Sequence, residues 1–188
     1  MTLLILLAIL AGALYIFYVG LIKKRNAAIE AFSGIDVQLK KRHDLIPNVL
    51  TIAQKFMEHE KNLLTEITEL RTRADAKVDV NVPEELRAKF TAETQLNDKL
   101  KSLFVSVENY QNLKSDATML QAQQIYNEVE EHISAARRFY NSAVTELNNA
   151  VHIFPGSLVA AIINVKDMPY FEASERERKE VNAAEILK

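Results

Sequence analysis

Residues 26–74 read NAAIEAFSGIDVQLKKRHDLIPNVLTIAQKFMEHEKNLLTEITELRTRA, and the spacing of their apolar positions decides the fold. Ala28, Phe32, Ile35, Leu39, Ile46, Val49, Ala53, Phe56, Leu63, Ile67, Leu70 and Ala74 recur at steps of three and four almost throughout. A period of 3.6 residues lines such positions along one stripe of a helix. The spacing predicts one very long amphipathic helix over 26–74, roughly 70 Å at about 1.5 Å rise per residue. Arg42 and Glu60 put charge where the stripe expects an apolar side chain. Pro47 adds a second irregularity. Inside a helix it has no N–H for the carbonyl of His43, and its ring crowds that turn at a cost of about 3 kcal/mol. A bend is expected there, with a freed carbonyl that needs another donor.

Upstream, residues 2–22 carry no charge and consist mostly of Leu, Ile and Ala, with Tyr15, Phe17 and Tyr18 toward one end. As a helix they rise roughly 30 Å, the hydrocarbon thickness of a bilayer. Lys23, Lys24 and Arg25 follow at once. A cleaved signal peptide places positive charge before its apolar run and small residues at a cleavage site after it. Here the basic cluster comes after the run, so a retained single-pass anchor is expected. Positive flanks stay cytoplasmic, which sends the amino terminus outward and leaves residues 23–188 in the cytosol. Ala8 and Gly12 form a weak small-xxx-small pair. Gly20 and Gly34 are each tolerable in a helix at about 1 kcal/mol relative to alanine, so continuity from bilayer to bundle stays open.

Downstream, residues 75–82 lose the period and read as a connection. Pro83 with Glu84 and Glu85 makes a helix start, since proline loses nothing at the first position and acids suit the dipole. Leu86, Phe90, Leu96, Leu100, Leu103, Val107 and Tyr110 then mark a second helix ending around 112–115. Asp116 is placed to cap a third, whose stripe runs through Tyr126, Val129, Ile133, Ala136, Tyr140, Val144, Leu147, Val151 and Phe154. Pro155-Gly156 stops it. The apolar octet 158–165 is too short to cross a bilayer and is expected as a short helix closing the bundle end, in preference to a membrane-dipping element. The resulting fold class is all-α: a transmembrane helix continuing into an elongated antiparallel bundle of three long helices plus a short fourth. It divides into an anchor with basic flank at 1–25, a bundle at 26–172 and a charged tail at 173–188.

Composition narrows the function. There is no cysteine, which removes disulfide scaffolds, thiol nucleophiles and Cys-ligated metals. A net charge of −2 lacks the basic excess of a general nucleic-acid binder. The four glycines form no phosphate-cradling loop, and the four histidines, at 43, 59, 132 and 152, are too dispersed for a sequence-local metal site. No catalytic, cofactor or metal residue is assigned, and no cofactor is expected. His59-Glu60 is read as an ordinary structural pair. An enzyme would require Glu60, Arg42 and a histidine to converge in one pocket.

One polar constellation stands out. Asn127, Glu130, Ser134, Arg137, Asn141, Thr145 and Asn148 form a stripe displaced by one residue from the apolar stripe of the third helix. On the first helix Arg42 lies on the seam, flanked by Asp36, Asp44 and Asn48, with Pro47 between. The expectation is a buried or half-buried polar layer of Arg42, Asp44, Pro47, Asn48, Glu130, Arg137 and Asn141, with Arg42 pairing with Glu130 and fixing the register of long helices. The alternative is an exposed flank from which Arg42 snorkels into water.

The same stretches carry a resemblance. Ile35-Asp36-Val37-Gln38-Leu39-Lys40-Lys41-Arg42, then Asp44-Leu45-Ile46-Pro47-Asn48, with His59-Glu60 beyond, resemble the signature of the LemA family. The likeness extends over Glu108-Asn109-Tyr110, Leu113-Lys114, Glu130, Ile133, Ala136-Arg137, Tyr140-Asn141 and Asn148. It closes with Phe154-Pro155, Leu158-Val159-Ala160 and Tyr170-Phe171-Glu172. Gln111, Leu147 and Asn164 depart from it, standing where the family often has Pro, Tyr and Gly; Gln111 suggests a different bend between the second and third helices. The resemblance implies a bacterial inner-membrane protein with one amino-terminal span and a cytosolic helical bundle. The family resembled has some members whose genes neighbour those of membrane zinc metalloproteases or other envelope proteins, and one branch associated with magnetosome membranes. The function expected is a non-enzymatic structural or scaffolding protein, a homo-oligomer that organises or shapes the bilayer. The alternative is an adaptor or regulator of a membrane partner such as a zinc metalloprotease, contacted through 158–171. The partners expected are lipid, further copies of the chain and a membrane protein, with no nucleic acid.

Overall fold

α1 (Thr2–Gln54) runs without a break from the apolar segment into the bundle, through Gly20, Gly34 and Pro47, in the computed structural model, which describes residues 1–172. The charged tail expected over 173–188 lies outside the described residues. Every residue from 1 to 12 is exposed, including Leu3, Leu4, Ile5, Leu6, Leu7, Ile9 and Leu10. This is the one helix among the described residues long and apolar enough to cross a membrane, and almost none of its apolar window is buried. A core helix of a soluble domain would hide that surface. It is therefore a candidate membrane span.

The single helix expected over 26–74 is two helices. α1 ends at Gln54, the backbone tightens as Lys55 and Phe56 donate to the carbonyls three residues back, and a 3-10 turn at Glu58–Glu60 leads into α2 (Lys61–Ala74). α2 folds back along the last third of α1, bringing Arg71 and Asp75 beside His43. The physical reason is burial. The turn places Met57 in the core, and reversal lets Leu64, Ile67 and Ala74 cover Ile46, Val49 and Ala53, which a straight rod would leave to solvent.

α3 (Pro83–Val107) starts at its proline and runs antiparallel to α2, with Lys89 beside the carbonyls of Ala74 and Ala76. A short α4 (Gln111–Lys114) follows. Gln111 is its first residue, where a proline's missing N–H would cost nothing, so this departure from the family requires no new bend. α5 (Ala117–His152) is capped by Asp116, whose carboxylate accepts from the backbone N–H groups of Thr118 and Met119 at 2.9 and 3.0 Å. It returns antiparallel to α1, so that Tyr140 meets Phe32 and Glu146 pairs with Lys24.

α6 (Gly156–Ile162) lies against α1 and α5. A Cβ on Gly156 would sit 2.3 Å from the Ala150 carbonyl oxygen, so glycine is needed for this close approach. Asn164 ends α6 at φ 53°, in the left-handed region, while Val165 N–H bonds the Ala160 carbonyl. Asparagine tolerates that conformation best after glycine, which accounts for its standing where the family favours Gly.

Candidate functional site

The core is two clusters divided by charge. Ala28, Phe32, Ile35 and Leu39 pack with Leu86, Phe90, Ile133, Tyr140 and Phe171 toward the apolar end. Ile46, Val49, Leu64, Ile67, Leu96, Leu103 and Tyr126 pack at the far end. Between them α1 inserts Arg42, 2% exposed, and His43, while α3 inserts Glu93, 0% exposed.

Arg42 Nη2 donates to Glu93 Oε2 at 2.6 Å and to the Glu93 carbonyl at 3.2 Å; Nη1 donates to Glu130 Oε1 at 2.8 Å. His43 Nε2 lies 3.1 and 3.2 Å from the two Glu93 carboxylate oxygens, and its Nδ1 lies 3.3 Å from Asp75. Four helices or helix ends thus meet at one level. Burial alone would push the Glu93 carboxyl up. The hydrogen bond from His43 and the charge of Arg42 outweigh it, and the carboxyl sits below its ordinary range. Burial likewise opposes the Arg42 charge, and Glu130 and Glu93 outweigh it and raise its pKa. A carboxylate held ionised in this way is not poised as a general acid.

Lys89 serves a neighbouring joint. Its ammonium, almost buried, donates to the Ala74 carbonyl at 3.1 Å and lies 3.3 Å from Asp36, tying the C-terminal end of α2 to α1 through α3. Below the charge layer, Tyr126 donates to Asn97 at 2.6 Å.

Arg42 and Glu130 therefore lie in direct contact, and Arg137 lies at the edge of their layer. It lines a cavity of about 140 Å³ with Arg42, Glu93, Asn97 and Glu130, its guanidinium 5.9 Å from the Phe171 ring. That volume is well under the roughly 300–1,000 Å³ of small-molecule sites. Four of the seven grouped residues, Asp44, Pro47, Asn48 and Asn141, lie elsewhere. Asp44 is exposed and pairs with Lys40 one turn away at 2.9 Å, and Pro47 and Asn48 are exposed. At about 100° per residue, offsets of two, five and six from Arg42 put them on the far side of the helix from the seam. The carbonyl that Pro47 frees is nevertheless engaged, since Arg71 Nε donates to His43 O at 2.9 Å.

Asn141 belongs to a different device. Its side-chain amide donates to the Phe171 carbonyl at 3.0 Å and accepts from Phe171 N–H at 2.9 Å. Asn148 repeats the pattern on Met168 at 3.0 and 2.9 Å, and Tyr140 donates to the Pro169 carbonyl at 2.8 Å. The polar stripe of α5 thus clips the irregular strap after α6 onto the bundle, burying Met168 and Phe171. Much of the 158–171 segment expected to meet a partner is committed to its own core.

Of the anchor flank, Lys23 is exposed, Lys24 pairs with Glu146 and Arg25 donates to Asn81. Glu60 lies in the 3-10 turn beyond α1 and does not join Arg42; the histidine beside Arg42 is His43. Among the described residues no group of three or more His, Asp or Glu side chains is arranged to hold a metal ion.

The residues that sequence reasoning missed are Glu93, His43, Asp75 and Lys89. Glu93 carried the same signal as Arg42, a charge on an apolar stripe, here between Phe90 and Leu96.

Comparison with known proteins agrees in extent with this architecture. A relative described as Protein LemA, from Metamycoplasma hominis, is 27% identical over 180 residues, covering 93% of this chain and 80% of that protein. The sequence profile of the LemA family matches residues 31–184, from the first bundle turns of α1 onward. With a match over most of its length, the chain belongs to the LemA family.

Proposed function

We propose that this chain is a non-enzymatic, membrane-anchored scaffold of the bacterial cytoplasmic membrane. Residues 2–22 span the bilayer with the amino terminus outside, the bundle stands in the cytosol, and copies associate to organise or shape the membrane. The observation that supports this most directly is the unbroken α1, which makes the apolar segment and the bundle one lever. Lys23, Lys24 and Arg25 support the orientation through the positive-inside preference. The internal stripes are consumed within one chain, so association must use what remains. Val37, Val105 and Phe139 are large apolar side chains left exposed on α1, α3 and α5.

A photoreactive amino acid at Val105 or Phe139 of the full-length protein, activated in native membranes, tests this. A ladder of multiples of the chain mass supports self-assembly. One discrete adduct with a different membrane protein would replace the scaffold by the adaptor reading, and no adduct at either position would contradict both.

A further inference from the structure

Residues 153–165, IFPGSLVAAIINV, form a run of 13 residues without a charge. A run this short is either a buried core helix or an interfacial segment. Its exposure decides between them. Val159 and Ala160 face the core, yet Leu158, Ala161 and Ile162 are exposed on the opposite face of α6, and Ile153 and Phe154 are exposed at the corner before it. Phe154 is 78% exposed and Ile162 71%. A helix apolar on both faces belongs in a core or in lipid.

The depth of this corner follows from α1. Glu146 on α5 pairs with Lys24, and α5 continues six residues further, to His152, toward the apolar end. That is about 9 Å, which on α1 reaches the level of Tyr18. Ala13 and Leu14 are half-buried and Leu21 is buried, and Leu14 packs against the cluster that contains Leu21, Val159 and Ala160. Only residues 2–12 of the apolar run are therefore wholly free of the bundle. Eleven helical residues rise about 17 Å, short of the roughly 30 Å of hydrocarbon. A complete span needs residues 13–22 in the bilayer as well, and α6, whose Val159 and Ala160 share a cluster with Leu14 and Leu21, is drawn to the membrane with them. Several of the corner's backbone donors, the N–H groups of Ile153, Ser157, Leu158, Ile163 and Val165, are already bonded within the chain, which lowers the cost of taking it out of water.

We propose that the corner between α5 and α6 is a second membrane element, with Ile153, Phe154, Leu158 and Ile162 seated in the acyl region of the leaflet that α1 leaves on the bundle side. The bundle is thus held at two points and cannot swivel about α1. The inference rests on the reading of residues 2–22 as a span.

The chain has no tryptophan, so single probes are clean. Phe154→Trp, Ile162→Trp, Ile9→Trp and Phe139→Trp are made in the full-length protein, reconstituted in phosphatidylcholine–phosphatidylglycerol vesicles with or without acyl-chain bromine. Bromolipid is expected to lower the emission at 154 and 162 as well as that of Ile9→Trp, leaving Phe139→Trp unchanged. Quenching at 9 without quenching at 154 and 162 overturns the second contact and leaves the span standing. No quenching at 9 removes the span, and the inference with it. Emission at 154 that shifts blue with protein-to-lipid ratio but ignores bromine would identify a second copy as the occupant and overturn the proposal.

Discussion

Removing the Arg42 charge while keeping its bulk is the sharpest perturbation of the divided core. In Arg42→Met, Glu93 loses a 2.6 Å partner at 0% exposure and keeps only His43, whereas Glu130, 21% exposed, can rehydrate. Breaking a buried pair from one side costs about 3–5 kcal/mol, because a charge is left without compensation. Glu93→Gln falls near the lower end, since Arg42 keeps Glu130. Glu130→Gln should cost about 1 kcal/mol, the scale of a partly solvated pair. Arg42→Met/Glu93→Leu should recover much of the loss, because apolar replacement of a whole buried pair is often neutral and here joins two apolar clusters. Urea unfolding of the full-length protein in mild detergent, followed by far-ultraviolet circular dichroism, reads all four. The sign with pH is fixed as well. The folded Glu93 carboxyl titrates below its unfolded value of about 4, so its stabilisation is complete above that value and lost as pH falls through the folded one. Glu93→Gln should remove that part of the acid sensitivity. An Arg42→Met protein as stable as the parent, or a Glu130→Gln protein less stable than Glu93→Gln, would refute the reasoning.

Arg71→Met should cost about 1–3 kcal/mol by stranding the His43 carbonyl, and adding Pro47→Ala should restore most of it, because residue 47 regains an N–H aimed at that oxygen. Additive losses in the same unfolding assay would show that Arg71 acts otherwise. Asn148→Ala or Asn141→Ala should loosen the strap, raising amide hydrogen exchange at Met168 or Phe171 while exchange in α3 stays unchanged. Asp116→Ala should cost about 1 kcal/mol through the lost cap of α5, visible as a shift in urea midpoint without a change in slope.

The helices and the all-α class were legible because stripes at a period of 3.6 survive in single residues such as Ile35, Leu86 and Tyr140. The reversal at residues 55–60 was not legible. KFMEHE contains no Gly or Pro, and the apolar stripe resumes in phase at Leu63 beyond the single interruption at Glu60, so the break reflects tertiary burial of Met57 and α2. Arg42 announced the charge layer by standing on the seam, and Glu93 announced it equally. Which carboxylate reaches deepest depends on the axial offset of α3 against α1, and that offset is set by the 75–82 connection, where periodicity is silent. Asn141 and Asn148 were visible as a polar stripe. Their partner is the backbone of a segment outside regular secondary structure, which leaves no side-chain pattern to read.

Self-assembly at the membrane is tested most directly by the native mass of the full-length protein in mild detergent, with imaging of the species found. The predicted result is one large, discrete particle whose mass is a multiple of 21.3 kDa after subtraction of detergent. A particle holding a single chain, unchanged as protein concentration is raised, would contradict it.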